Sequence, residues 1–162
     1  MKLFFLLPLL YFHVSLFANS YEKALDFFEN ELSFKQISFN KFSNNYDESL
    51  GNYTHNSNSI QIEITSPFKE IYFINNYGVE IHDLEFNQIK VISKDELKDN
   101  LIFNLFIQNT DDDKVELIDD STFLIYENKI PYFFNFIDNE TLEIKYKDNM
   151  EIDNLITFTK NQ

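Results

Sequence analysis

Few side chains in this chain are equipped for acid–base or nucleophilic chemistry. It holds 3 His, no Cys and no Arg. The missing thiols exclude disulfides, thiolate metal sites and a Cys nucleophile. His13 falls in an apolar N-terminal run, His55 in a polar stretch, and His82 beside Asp83. A His–Asp pair suggests a dyad, but neighbouring strand residues point to opposite faces, and no G-x-S-x-G motif accompanies it. Asp111, Asp112, Asp113, Asp119 and Asp120 are dense enough to attract calcium. Their spacing departs from an EF-hand loop and lacks its Gly, so they read as solvated turns. Two Gly set far apart leave no phosphate-binding loop. Asn52-Tyr53-Thr54 and Asn139-Glu140-Thr141 match glycosylation sequons, which arise by chance in an Asn-rich chain. The residues therefore predict no enzyme, no metal and no cofactor. What the chain has in excess is 19 Phe and 9 Tyr, with abundant Ile. These serve either an ordinary core or a cavity lined for an apolar ligand.

The charge balance narrows the partners. The net charge is −14, and all 13 basic residues are Lys. That argues against nucleic acid, whose binding requires phosphate neutralisation, and against an anionic lipid surface. Met1-Lys2 and the run LFFLLPLLYFHVSLF read as the charged and apolar regions of a secretory signal peptide, with cleavage after Ala18 or Ser20. A membrane anchor is the alternative, although Pro8 and His13 interrupt a run already short for a span. Residues 21–162 are then one domain, expected to be monomeric.

The elements that would position the apolar residues are mostly strands. The stretch PFKEIYFINNYGVEIHDLEFNQIKV, Pro67 to Val91, reads as three strands joined by tight turns, the first at Asn75-Asn76 because Asn tolerates positive φ. A helix is expected over Tyr21–Leu32, on Ala24, Leu25, Phe28 and Leu32, with Ser20 as its cap. Phe34–Phe42 alternates as a strand, Asn44–Ser49 is a polar turn, and Gly51–His55 with Ser59–Thr65 form a hairpin. Ser93 and Glu96 frame a capping box that opens a second helix through SKDELKDNLIFNLFIQ. Strands at Val115–Ile118, Thr122–Tyr126, Tyr132–Ile137, Thr141–Lys147 and Leu155–Thr159 complete the chain. So many short antiparallel strands with two helices predict a mainly β (α+β) fold. The expected form is a half-open antiparallel barrel with an N-terminal helix and a second helix covering the opening.

The central spacing resembles that of the outer-membrane lipoprotein carrier family, the LolA-type periplasmic chaperones. Pro67 precedes Asn75-Asn76, which stand where the family has an Asp-Gly turn. Val79 and Ile81 fall on the family's apolar strand positions, His82-Asp83 on its tyrosine–aspartate turn, Phe86 on its leucine, and Gln88-Ile89 on its Gln-Val pair. Ser33-Phe34 and Ser38-Phe39 match the Phe-rich first strand, and Ile60 and Ile62 fall near the aromatic positions. The resemblance implies a half-open barrel whose cavity shields the acyl chains of lipoproteins in the periplasm of a Gram-negative bacterium. The partners it implies are an inner-membrane ABC lipoprotein-releasing complex and an outer-membrane receptor lipoprotein. The absent Cys places the chain on the carrier side, because the receptor is itself lipid-modified. One departure stands out: the family's lid-holding Arg falls at Asn56 or Ser57, and this chain has no Arg to replace it.

On this reading the cavity is lined by Phe39, Ile62, Ile64, Phe73, Ile81, Ile89, Val91, Phe134 and Phe136, with Leu101 and Leu105 covering its opening. Carriage of another lipid or glycolipid, sensing of mislocalised lipoproteins, and a ligand-free periplasmic interaction module with a filled core are the alternatives.

Overall fold

A computed structural model describes residues 19–41, 43–97, 114–148 and 150–161. The chain order is α1 (Ser20–Phe28), β1 (Leu32–Asn40), β2 (Asn45–Asn56), β3 (Ser59–Ser66), β4 (Glu70–Asn75), β5 (Gly78–Asp83), β6 (Gln88–Ser93) and α2 (Lys94–Leu97). Then follow β7 (Val115–Leu117), β8 (Thr122–Glu127), β9 (Ile130–Phe136), β10 (Thr141–Lys147) and β11 (Asp153–Lys160). All the strands join one 11-stranded sheet in the order β6-β5-β4-β3-β2-β1-β11-β10-β9-β8-β7. Every pairing is antiparallel. Two meanders, β1–β6 and β7–β11, are sewn together where β1 pairs with β11. β6 and β7 remain the two edges, so the sheet is half-open and not a closed barrel.

Alternation along the strands sorts the side chains onto two faces. Leu32, Phe34, Tyr53, Ile60, Ile74, Phe123, Ile125, Phe134, Leu142, Ile144, Ile156 and Phe158 share the inner face and pack into one core. Residues from β11 around to β6 line one common hollow on this face, so the sheet curls toward it.

α1 fills one half of the curl. Ser20, Ala24, Phe27 and Phe28 are its buried stripe, the spacing of a helix with one apolar side. Phe27 meets Phe136 edge-on at 5.6 Å, and Phe28 meets Phe158 at 5.3 Å and Tyr53 at 5.7 Å. The expected boundaries shift here. The cap is Asn19, not Ser20: Asn19 Oδ1 accepts the Glu22 N–H at 2.8 Å, and the Glu22 carboxylate accepts the Asn19 N–H. Leu32 is buried as the first residue of β1, while Leu25 faces outward. Ser20 packs inside the fold, its hydroxyl donating to the Thr122 carbonyl at 3.2 Å.

Three other local expectations change. Residues 45–49 are not a turn but the first part of β2, because Asn45 to Ser49 pair with Asn40 to Gln36 and gain backbone partners whatever their side chains. At the β4–β5 hairpin Asn75 pairs with Gly78, and the positive φ falls on Gly78 rather than on an Asn. Asn75 contributes through its side chain, which accepts the Tyr77 N–H at 2.8 Å. The left-handed Asn residues sit instead at Asn44, Asn87 and Asn128. Asn128 and Lys129, with φ 50° and 68°, form a two-residue hairpin turn between β8 and β9. Of the expected second helix, Lys94–Leu97 is described; Ser93 donates its N–H and hydroxyl to Glu96 at 3.2 and 2.7 Å.

Candidate apolar ligand site

The hairpin registers set three inward-facing rows across β3 to β6. Ile60, Ile74, Val79 and Ile92 lie opposite one another in the first. Ile62, Tyr72, Ile81 and Lys90 form the second, and Ile64, Glu70, Asp83 and Gln88 the third. The first row is the most buried, and the third reaches the open mouth. Where α1 does not reach, seven residues of these rows border a hollow of about 320 Å³, at the low end of small-molecule pockets. Ile62, Ile64, Tyr72, Ile74, Val79, Ile81 and Ile92 form one wall. Phe34, Gln36, Ile156 and Phe158 form the other, and Leu97 of α2 closes one end.

The polar groups at the hollow are few and mutually bonded. Gln36 Nε2 donates to Ser38 Oγ and to Asn154 Oδ1, each at 3.2 Å, and the Ser38 hydroxyl donates to Asn154 Oδ1 at 2.7 Å. The buried Asn154 amide donates to the Ile152 carbonyl at 3.1 Å. Tyr72 donates its hydroxyl to Glu70 at 2.6 Å; burial first, then this bond, pushes the phenol well above its ordinary range. The site is therefore an apolar wall with a small, satisfied polar patch. Its means of binding is burial of apolar surface.

Of the residues expected to line a cavity, Ile62, Ile64 and Ile81 lie on this hollow. Phe134 and Phe136 are on the inner face, but in the half that α1 fills. Ile89 and Val91 are corrected to the outer face: they stand opposite His82 and Glu80 and are 64% and 70% exposed. The inner face of β6 carries Lys90 and Ile92 instead. Phe73 also faces out, between Gln61 and Glu80, with its ring 5.0 Å from that of His82. Phe39 lies against Tyr46 at 4.7 Å on the outer side. Leu101 and Leu105 lie outside the described residues. The lining residues that sequence reasoning missed, among them Phe34, Tyr72, Val79 and Ile92, follow from Ile62 once the registers are known.

His82, Asp83, His55 and Asp119, singled out in the sequence, are held by local partners. His82 bonds to Glu80 on the outer face, while Asp83 faces inward and accepts the Glu85 and Phe86 N–H groups of its own turn. His55 is in β2, and its Nδ1 lies 2.7 Å from Glu29 Oε2. Asp119 accepts the Ser121 N–H at 2.8 Å, a bond that holds its carboxyl below the usual range. Asp111, Asp112 and Asp113 lie outside the described residues. Among the described residues, no three His, Asp or Glu side chains gather as metal ligands, and no helix is long and apolar enough to cross a membrane. No family model matches the chain, and no curated protein matches it.

Proposed function

We propose that the protein is a carrier that shelters an acyl chain in the unfilled half of its curved sheet. The observation that carries this reading is an asymmetry. One half of the inner face is plugged by Phe27 and Phe28 of α1, and the other presents Ile, Val and Tyr side chains to an open hollow of about 320 Å³. A chain laid there leaves water and contacts apolar walls, gaining about 0.8 kcal/mol per buried CH₂. A pocket of this size suits one chain. Release needs no chemistry, only an acceptor that buries the chain better.

The central-stretch resemblance and the half-open architecture together support lipoproteins as the cargo. The carrier would collect them from an inner-membrane ABC releasing complex and pass them to an outer-membrane receptor lipoprotein. The test is release from spheroplasts of the host. The mature protein is expected to bring an acylated lipoprotein into the medium as a soluble complex, and an Ile81→Asp variant to bring none. Equal release by the variant, or no release by either, contradicts the proposal.

A further inference from the structure

We infer that the hollow takes its chain in one orientation, tail toward α2 and head toward the start of β4, and that the head of the chain carries an ammonium group. This rests on the acyl-carrier reading of the same hollow and names the chemistry of its cargo.

The orientation follows from the three inward rows. Ile60, Ile74, Val79 and Ile92 offer no polar atom beyond the backbone, and Leu97 covers that end. A charged head placed there would be desolvated with no partner among the described residues, a cost of several kcal/mol. Polarity enters in the next row with the Tyr72 hydroxyl and Lys90. It peaks in the third, where Glu70 and Asp83 lie directly opposite each other. An amphiphile matches this gradient in one direction only.

The sign of the head follows from what lines the mouth. Ile64 also borders a second recess, lined by Asp47, Glu48, Glu70 and the exposed ring of Phe68 among others. Tyr72 and Ile81 also border a third, lined by Glu70, Asp83 and Lys90 among others. Glu48 is already paired with Lys35 at 2.7 Å. Glu70 accepts the Tyr72 hydroxyl and Asp83 the Glu85 and Phe86 N–H groups, neutral donors that leave both carboxylates charged, and with Asp47 they outnumber the Lys90 ammonium. Glu70 sits at the junction, adjoining both recesses and bonded to Tyr72 of the apolar wall. A carboxylate or phosphate head would meet these groups with like charge. An ammonium, with three N–H donors, complements them. The net charge of −14 acts in the same direction.

The experiment is displacement of Nile red, an uncharged fluorescent probe, from the purified mature chain by decylamine, decanol and decanoate. All three are used below their aggregation concentrations, at neutral pH and low salt. Decylamine is expected to displace the probe at a concentration about tenfold lower than decanoate, with decanol between them. The gap should shrink at about 0.5 M salt and in the Glu70→Gln/Asp83→Asn double variant, whose side chains keep their hydrogen-bond acceptors. Decanoate equal to or better than decylamine overturns the inference and, if decanol also competes, leaves the acyl-carrier reading standing. A gap that persists in the double variant overturns it as well. If none of the three displaces the probe, the carrier reading falls and the inference falls with it.

Discussion

Phe34 lies across the backbone of Gly51, its partner on the adjacent strand. A Cβ added at Gly51 would sit 2.5 Å from Phe34 Cζ and would collide with the Glu63 carbonyl oxygen. The ring can swing, but the carbonyl belongs to β3 and cannot move without the strand. Gly51 also marks a register shift between β2 and β3. Gly here is a matter of space, because it brings Phe34 down onto the sheet as one wall of the hollow. Gly51→Ala is therefore expected to destabilise the fold by about 1–3 kcal/mol, read as a lower denaturant midpoint. An unchanged midpoint would mean that Phe34 and Gly51 are not in this contact.

The two faces of the β5–β6 hairpin make opposite predictions. Ile81 lines the hollow and Val91 stands exposed on the other side. Ile81→Asn should weaken binding of an apolar fluorescent probe by about tenfold or more, the effect of losing roughly two buried methylenes. Val91→Asn should leave the probe titration where it was and change stability by no more than about 0.5 kcal/mol. The reverse outcome would mean that the β5–β6 hairpin presents its other face to the hollow.

Alkaline pH should unfold the protein through its inward-facing tyrosines. Burial, with smaller contributions from Tyr132 and Asp148, pushes the Tyr146 phenol from 10.0 up to about 12. Burial also raises Tyr53 and Tyr72. The folded state holds these protons more tightly than the unfolded chain. Their contribution is thus fully present below pH 10 and is lost as the pH rises toward 12. The denaturant midpoint should show no tyrosine-linked fall from neutral pH to about 10 and should drop beyond it. Tyr146→Phe should drop less steeply; a slope identical to wild type would remove Tyr146 from the account.

On the signal-peptide reading of the N-terminal run, the contacts of Asn19 and Ser20 bear on where cleavage would fall. Asn19 caps α1, and Ser20 is 1% exposed with its hydroxyl bonded to Thr122. Cleavage after Ser20 would remove both; cleavage after Ala18 keeps them. On that reading, intact-mass measurement of the chain purified from its host is expected to give Asn19 as the first residue. A chain beginning at Tyr21 would contradict this. Asn19→Ala in the otherwise unchanged protein should cost about 1 kcal/mol.

Much of the architecture was legible because the strands alternate. Ile60, Ile62 and Ile64 share a face by spacing alone, and the Asp- and Asn-rich links mark the turns. Facing was harder where a strand is apolar on both sides. In β4, Phe73 is as apolar as Tyr72 and Ile74, and only pairing with β3 decides that Phe73 points out. In β6 the more apolar set, Ile89 and Val91, is the outer one, because an edge strand tolerates Lys90 at the mouth of the hollow. The signal was present in the hairpin: Asp83 opposite Gln88 puts Ile81 opposite Lys90. Phe134 and Phe136 were placed on the correct face, but nothing local says that Phe27 and Phe28 occupy the space in front of them. That depends on where a helix more than a hundred residues earlier comes to rest.

Native mass spectrometry of the protein, purified gently from its own host, tests the carrier account most directly. The account predicts a complex with an acylated lipoprotein, lost in the Ile81→Asp variant while the variant stays folded by circular dichroism. A bare chain that also fails to bind an apolar fluorescent probe would contradict it.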